Sequence, residues 1–435
     1  MPSPAPEPLA PRPLSVWLVN PFDDIPGEGL PPLRYWTLAR VLAARGHDVT
    51  WWTATWSHRR KALRTAPLGL REDEGFAVRL VAVRPYEKNV SLARLASHRD
   101  FGRTFERLAI ESVSSGQLER PDIILASLPP LEGPEAALRL ARRLDATFVL
   151  DVQDLWPETF ERLLPGPPFL RRLLAPLVLG GMRSRRDALV AAADAVAATT
   201  RTYADVVFRG VPAETPRHVC TVGAYPQEFP QGPRIVSHVP LPGSGPDEAA
   251  RPPLECVYSG SLEASQDLDI IPAAARLLAG EGVRATIHVA GTGSREPALR
   301  RAAEAGGGSC RVELHGLLAR PDYVRLLSRC DVGLVCVKPE SLVAVPNKAG
   351  DFAAAGLALV SSLPGELESL IDAHAAGVRY TAGDPVSLAR AIAALAGDPR
   401  RLESCRAGAR RLAAAEFDRE RTYARFADWL ETVSG

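Results

Sequence analysis

Apolar residues in this chain gather into short, nearly continuous runs separated by longer amphipathic stretches. The first run, Leu14 to Asn20 (LSVWLVN), has the length and β-branched content of a strand buried on both faces. A loop containing Gly27 and Gly29 follows, then a helical period from about Leu33 to Ala44 closed by Gly46, then a second strand over Asp48 to Thr53. Further strands are predicted at Val78 to Val83, Asp122 to Ala126, Thr147 to Asp151 and Val196 to Thr200. Helices are predicted at about Phe101 to Ser115, Pro134 to Leu144 and Arg183 to Ala193. Buried strands alternating with helices imply a parallel sheet covered on both faces, the doubly wound α/β class.

The alternation stops between residues 226 and 253, a stretch rich in Pro, Gly and Ser that reads as a linker or long surface loop. It then resumes. Strands are predicted at Leu254 to Gly260, Ala285 to Ala290, Arg311 to His315, Asp331 to Val337 and Leu357 to Ser361. Helices fall at about Ile270 to Ala279, Glu296 to Ala305 and Pro321 to Ser328, and the chain from Val386 on is helical, ending in a helix near Arg419 to Val433. The expected organisation is a disordered tail (1–13), a first domain (14–225), the linker (226–253), a second domain (254–412) and a closing helical segment (413–435). That last segment either stays with the second domain or crosses back to the first. Two such halves would face one central cleft with the C-terminal ends of their strands, where ligands of these sheets bind.

Composition narrows the function classes. With 435 residues and a net charge of +1, the chain has length for two or more cores and no bulk charge for nucleic acid. The six cysteines lie in or beside apolar runs without metal-ligand spacing and read as buried free thiols of a reducing compartment. The proline-rich start lacks the apolar core of a signal peptide, and no window of about twenty apolar residues would span a bilayer. The eight histidines are scattered, which predicts no metal site; His47, after a helix-ending glycine, reads as structural. Asp267-Leu268-Asp269 stands before a helix and reads as a cap rather than a metal ligand pair. Two segments of the first half combine aromatic or apolar residues with basic ones: Trp51, Trp52 and Trp56 before His58, Arg59, Arg60, Lys61 and Arg64, and Phe169 to Met182 with its flanking arginines. Each is either core with a solvated basic rim or a contact with a membrane surface.

The richest chemistry lies in Val345-Pro346-Asn347-Lys348-Ala349-Gly350-Asp351-Phe352-Ala353-Ala354-Ala355-Gly356. Pro346 suits the first helical position and Gly356 the residue just past the end, which predicts about three turns of helix. Asn347, Lys348 and Asp351 share one face. A helix N-terminus with a first-turn lysine favours phosphate, and a carboxylate one turn deeper accepts hydrogen bonds from ribose hydroxyls. The alternative is a surface helix with a solvated Lys/Asp pair.

In order and spacing these segments resemble the GT-B glycosyltransferases of family 4, also called glycosyl transferases group 1, with the branch of bacterial O-antigen, colanic acid and capsule synthesis looking nearest. The resemblance rests on the glycine loop with Arg34-x-x-x-Leu38-Ala39, Arg45-Gly46-His47-Asp48-Val49, Asp151 to Glu158 (DVQDLWPE), Tyr258-Ser259-Gly260 near Gln266, Ala290-Gly291-Thr292-Gly293, His315-Gly316 and the Pro346 to Gly356 segment. It implies two Rossmann-like domains facing a cleft, and metal-independent, retaining transfer of a hexosyl or N-acetylhexosaminyl group from a nucleotide diphosphate sugar, a UDP-sugar foremost. The acceptor would be a glycan or lipid-linked intermediate, handled in the cytoplasm or at the inner face of the membrane, with no other cofactor. The resemblance places Gly27, Gly29 and Arg34 at the donor's diphosphate, Gly260, Ser261, Gly291 and Gly293 at turns lining the donor site, and Gly316 and Leu317 at the base. Pro346, Asn347, Lys348 and Asp351 would hold phosphate and ribose, and Asp154, Trp156 and Glu158 the acceptor, with Asp154 orienting its hydroxyl. The chain departs from the family where two glutamates seven residues apart are usual: Ala344 and Asp351 stand there, with Glu340 nearby. Two other readings therefore stand beside the transferase: a non-catalytic relative acting as a binding partner, and a nucleotide-sugar 2-epimerase of the same two-domain plan.

Overall fold

The computed structural model describes residues 12–25, 28, 33–64, 69–71, 75–230 and 252–433. Gly27, Gly29, most of the expected tail and most of the expected linker lie outside these residues. The chain divides into two compact units, one holding the residues up to Cys220 and again from Tyr423 onward, the other Thr221–Thr422.

The first unit is built on a sheet whose parallel strands are β1 (Ser15–Val19), β2 (Asp48–Ala54), β3 (Phe76–Val81), β4 (Ile123–Leu128), β5 (Thr147–Val152), β6 (Ala195–Ala198) and β7 (Arg217–Val219). Their spatial order is β7-β6-β5-β4-β1-β2-β3, with Gly69–Arg71 antiparallel to β3 at the edge. Every residue of β1, β4 and β6 is buried, as continuous apolar runs require when helices cover both faces. The order reverses between β1 and β4, so the loops after these strands diverge and open a crevice at their C-terminal ends. The second unit repeats the plan with β8 (Leu254–Ser259), β9 (Ala285–Ala290), β10 (Cys310–Gly316), β11 (Val332–Val335), β12 (Ala358–Ser361) and β13 (Gly377–Arg379). Its order is β10-β9-β8-β11-β12-β13, all parallel, and the reversal falls between β8 and β11.

Several expectations need correction. The short strands β7 and β13 were not predicted, because three residues leave no apolar run to detect. The helix expected from Arg183 extends over Pro168–Ala192 with Pro176 inside it, so the apolar run from Phe169 is helical. Trp51 and Trp52 are buried to within 1% and Trp56 to 9%, inside or beside the aromatic core, which removes them from any membrane surface. The run from Phe169 behaves differently: Phe169, Leu173 and Leu177, spaced four apart, are 75%, 70% and 82% exposed. All six cysteines are free and buried.

Arg34, the first residue of the Arg34–Ala44 helix, is only 2% exposed. Its guanidinium donates from Nε and Nη2 to the two carboxylate oxygens of Asp151, each at 2.8 Å, and from Nη1 to the Cys220 carbonyl at 2.6 Å. The ring of Phe426 covers it, 4.8 Å from ring centre to guanidinium carbon. Phe426 belongs to the closing helix, Arg419–Val433, whose Tyr423, Phe426, Ala427 and Leu430 complete the core of the first unit. Two opposite charges can be buried together only when geometry and hydrogen bonds offset their lost hydration. His47 is structural as well: its Nδ1 accepts from the Leu14 N–H at 3.1 Å and its Nε2 lies 3.0 Å from Glu431. Removing the cation alone strands the buried Asp151 carboxylate. Arg34→Ala is therefore expected to destabilise the protein by about 3–5 kcal/mol, read from the urea midpoint of the first unit's tryptophan signal.

Candidate active site

In the second unit the sequence-predicted donor residues converge where the strand order reverses. Gly260 directly follows β8 and Gly291 directly follows β9, both with positive φ (+130° and +146°). A Cβ on Gly291 would stand 1.8 Å from the Gly260 carbonyl oxygen, so only glycine lets the two turns pack together. The Gly291 N–H donates to the Gly316 carbonyl at 2.7 Å and the Gly260 N–H to the Ala290 carbonyl at 3.0 Å, which ties the ends of β8, β9 and β10 into one rim. Gly293 packs against the backbone of Leu262, which it leaves no room for a side chain. Gly316 itself has φ +67°, and the neighbouring Leu317 is 71% exposed, so backbone rather than buried side chain lines this position. The exposed Ser261 takes part through its carbonyl, which accepts from the Tyr258 hydroxyl at 3.1 Å.

Lys348 reaches this rim from the other side of the reversal. Its helix is Asn347–Ala354, just over two turns rather than three, with Pro346 as its N-cap and not its first residue; Gly356 ends it with φ +69° as expected. Asn347 is exposed at the first helical position. The Lys348 stem is partly exposed, but its ammonium is shielded from solvent and makes no hydrogen bond. It lies 3.9 Å from the centre of the Tyr258 ring, and a Cβ on Gly260 would stand 3.1 Å from it. Burial lowers its pKa from 10.5 to about 8. A ring face offsets part of the cost of burying an ammonium, and a phosphate would offset more.

Asp351 pairs with Arg320. Both of its oxygens accept from Arg320 at 3.2 Å, and Arg320 also pairs with Glu228. The Tyr323 hydroxyl lies beside this cluster, 3.0 Å from Ser259 Oγ, and burial raises its pKa. A carboxylate has about four lone-pair sites, of which Arg320 takes two. Ala344 is buried and Glu340 exposed, so neither presents a buried carboxylate beside Asp351. The Asp267-Leu268-Asp269 triplet caps nothing through its side chains: Asp267 accepts from the Gly383 N–H at 2.8 Å and Asp269 pairs with Arg295 at 2.6 Å.

The first unit distributes its predicted residues less uniformly. Arg34, expected at the donor's diphosphate, is sealed in the core with all three nitrogens engaged. Trp156, expected to line an acceptor site, is 6% exposed and packs edge-on against Phe160 at 4.5 Å. Glu158 is committed to Arg183 (3.1 Å) and Arg186 (2.6 Å). Asp154 is partly exposed at the end of β5 and accepts from the Leu155 N–H at 2.8 Å.

Sequence reasoning missed a cluster beside Trp156. The Arg94 guanidinium lies over Trp156 and Phe22, each at 5.3 Å, and donates to His98 Nε2 at 3.3 Å. Lys61 sits 4.8 Å from the Tyr86 ring centre and donates to Asn89 at 2.6 Å. Burial, with Arg94 second, lowers the His58 and His98 pKa values to about 3, and burial lowers Lys61 to about 8. Among the described residues neither Arg94 nor Lys61 has a carboxylate within ion-pair distance. These residues come from three separate segments, and only the fold joins them.

Comparison with known proteins places this geometry. A model described as "Glycosyl transferase 4-like domain" matches residues 34–220 and one described as "Glycosyl transferases group 1" matches residues 253–398. No curated protein sequence matches. Among solved structures, Anabaena HepE in complex with UDP-glucose is 15% identical, with a TM-score of 0.64 over 96% of this chain and 100% of that one. Sucrose-phosphate synthase from Thermosynechococcus elongatus is 15% identical, with a TM-score of 0.69 over 97% and 99% of the two chains. A Listeria monocytogenes protein assigned as a putative UDP-N-acetylglucosamine 2-epimerase is 12% identical, with a TM-score of 0.57 over 95% of each chain. The chain thus belongs to the GT-B glycosyltransferases of family 4, the group 1 transferases, with two Rossmann-like domains.

The Gly260/Gly291 contact gives a direct test of the rim. Gly291→Ala must displace the Gly260 turn and adopt a backbone unfavourable for alanine, so a loss of about 2 kcal/mol or more is expected, measured as a lowered melting temperature.

Proposed function

We propose that the protein transfers a sugar, with retention of anomeric configuration, from a nucleotide diphosphate sugar to a hydroxyl acceptor. The observation that carries this reading is the solvent-shielded Lys348 ammonium with no hydrogen-bond partner, set at the strand-order reversal of the second unit against Gly260. A diphosphate bound there gains a charge-assisted contact, and the leaving phosphate is stabilised by Lys348 and its helix end without calling on a metal. The base would lie against Gly316 and Leu317, and the ribose would use the Asp351 lone pairs that Arg320 leaves. A UDP-sugar is the donor we favour, since HepE is a structural neighbour solved with UDP-glucose. The leaving phosphate would help take the acceptor proton, with Asp154 orienting the hydroxyl.

On the acceptor side, Arg94 and Lys61 supply positive charge without a paired carboxylate, which suits an anionic group such as the diphosphate of a lipid-linked glycan. The exposed Phe169/Leu173/Leu177 stripe supports a membrane-surface location, at the inner face and reached from the cytoplasm. Among the described residues no helix is long and apolar enough to cross a membrane. One second reading has a specific observation behind it: Asp351 paired with Arg320, together with the apolar Ala344, suits a relative that binds a glycan or partner without transfer. The likeness to the Listeria protein concerns the fold alone and adds nothing to an epimerase reading.

A thermal-shift panel of UDP, GDP, ADP, TDP and CDP, with and without magnesium, separates these readings. One nucleotide is expected to raise the melting temperature equally with and without magnesium; no shift with any of them favours the non-catalytic relative. Lys348→Ala is expected to weaken binding of that nucleotide by about 1.5–3 kcal/mol, and an unchanged affinity would remove the centre of the proposal.

The lowered pKa of Lys348 adds a signed pH effect. Bound diphosphate favours the ammonium, so above pH 8, where the free protein has begun to lose that proton, binding must take one up. Affinity should therefore fall by about tenfold per unit as pH rises beyond this value, and calorimetry in buffers of different ionisation enthalpy should register proton uptake. Lys348→Met should abolish both effects.

A further inference from the structure

The sheet of the second unit brings together histidines that the sequence scatters. Glu313 and His315 of edge strand β10 are two residues apart and so share one face. The parallel register sets His288 of β9 opposite Glu313, and Glu255 of β8 reaches the same side. Among the described residues, His288, Glu313 and His315 present ligand atoms that all lie within 4.8 Å of one another.

Glu255 supports His288 from the far side of its ring. His288 Nε2 lies 2.8 Å from Glu255 Oε2, and in the tautomer that donates to this carboxylate His288 Nδ1 presents its lone pair to the other side. That lone pair is 2.9 Å from His315 Nε2 and 3.6 Å from Glu313 Oε2. An ion with bonds of about 2.0–2.1 Å in tetrahedral geometry spaces its ligand atoms about 3.3 Å apart, between these two separations. Arg311 occupies the other Glu313 oxygen, Oε1, at 3.1 Å, which leaves Oε2 for the ion. With the ring proton of His315 on Nδ1, both rings present lone pairs to the ion.

We infer that His288, His315 and Glu313 bind a divalent first-row transition ion of the zinc type, with water in the fourth position and Glu255 positioning His288. Two imidazoles and one carboxylate select this class over magnesium or calcium, which prefer all-oxygen shells. A carboxylate on the far nitrogen of a ligating histidine is the usual outer support for such a site. The His288 side chain is 5% exposed and that of Glu313 is 40% exposed, so the site is anchored inside and entered from the strand edge. His315 directly precedes Gly316, whose carbonyl holds the Gly291 N–H, so the ion would brace the rim without touching the transferred group. This inference does not depend on the transferase reading, and its test uses no nucleotide.

The full-length protein, stripped with a chelator, is dialysed against micromolar Zn²⁺ and, separately, Co²⁺. We expect one Zn²⁺ per chain, a higher melting temperature than the stripped protein, and the visible absorption of four-coordinate Co²⁺. His315→Ala and Glu313→Gln, at partly exposed positions, should each weaken Zn²⁺ binding at least tenfold and remove the Co²⁺ band while far-ultraviolet circular dichroism stays unchanged. Glu255→Gln should weaken binding by about ten- to a hundredfold. Absence of stoichiometric uptake by the wild type overturns the site. So does wild-type uptake in both His315→Ala and Glu313→Gln, an outcome that would move the metal to the buried thiols.

Discussion

A cation shielded from water and given no hydrogen bond is a costly thing for a fold to keep, and much of the second unit is arranged around the one at Lys348. An apolar residue there would relieve the cost; instead the chain supplies an aromatic face from Tyr258 and a glycine turn that leaves the ammonium room. That turn is itself constrained, because Gly260 can approach Lys348 only while Gly291 gives way behind it. The Gly291 N–H in turn fixes the Gly316 carbonyl. One uncompensated charge therefore dictates three positions on three strands.

The two sheets share an order of strands but treat the helix that follows the reversal in opposite ways. In the first unit, Arg34 begins the helix after β1, and Asp151, the Cys220 carbonyl and the Phe426 ring satisfy it completely. In the second, Lys348 follows β11 and is left electrostatically unsatisfied. The first arrangement serves cohesion. The second leaves a shielded cation at the strand-order reversal, which is what the proposed donor site draws on. In the first unit, Arg94 and Lys61 lie against aromatic rings, with no carboxylate within ion-pair distance among the described residues.

Much of this was legible in the sequence, and the rest was not, for identifiable reasons. Continuous apolar runs mark strands buried on both faces, so β1, β4, β8 and β9 were read with nearly their observed limits; the three-residue strands β7 and β13 carry no such run. Lys348, Gly260 and Gly291 were singled out because their spacing encodes a local turn and a helix start, and the fold brings them together. Arg34 was misjudged because its neighbours in sequence do not reveal that Asp151, far along the chain, consumes its hydrogen bonds. Trp156 and Glu158 likewise have surroundings, in Arg94, Arg183 and Arg186, that lie far from them along the chain. The His288/His315 cluster was missed because period-two strands bring together residues from different segments, and no spacing rule along one chain records that.

The closing helix has one more consequence, for the order in which the protein is made. The second unit is continuous in sequence, so all of it has been synthesised once Thr422 emerges from the ribosome. The first unit has most of its chain much earlier, yet Tyr423, Phe426, Ala427 and Leu430, which close its core and cover Arg34, come after the whole of the second unit. During synthesis its buried ion pair lacks its aromatic lid until the segment beyond Thr422 is made, so the unit that begins first is closed only after the whole of the second has been synthesised.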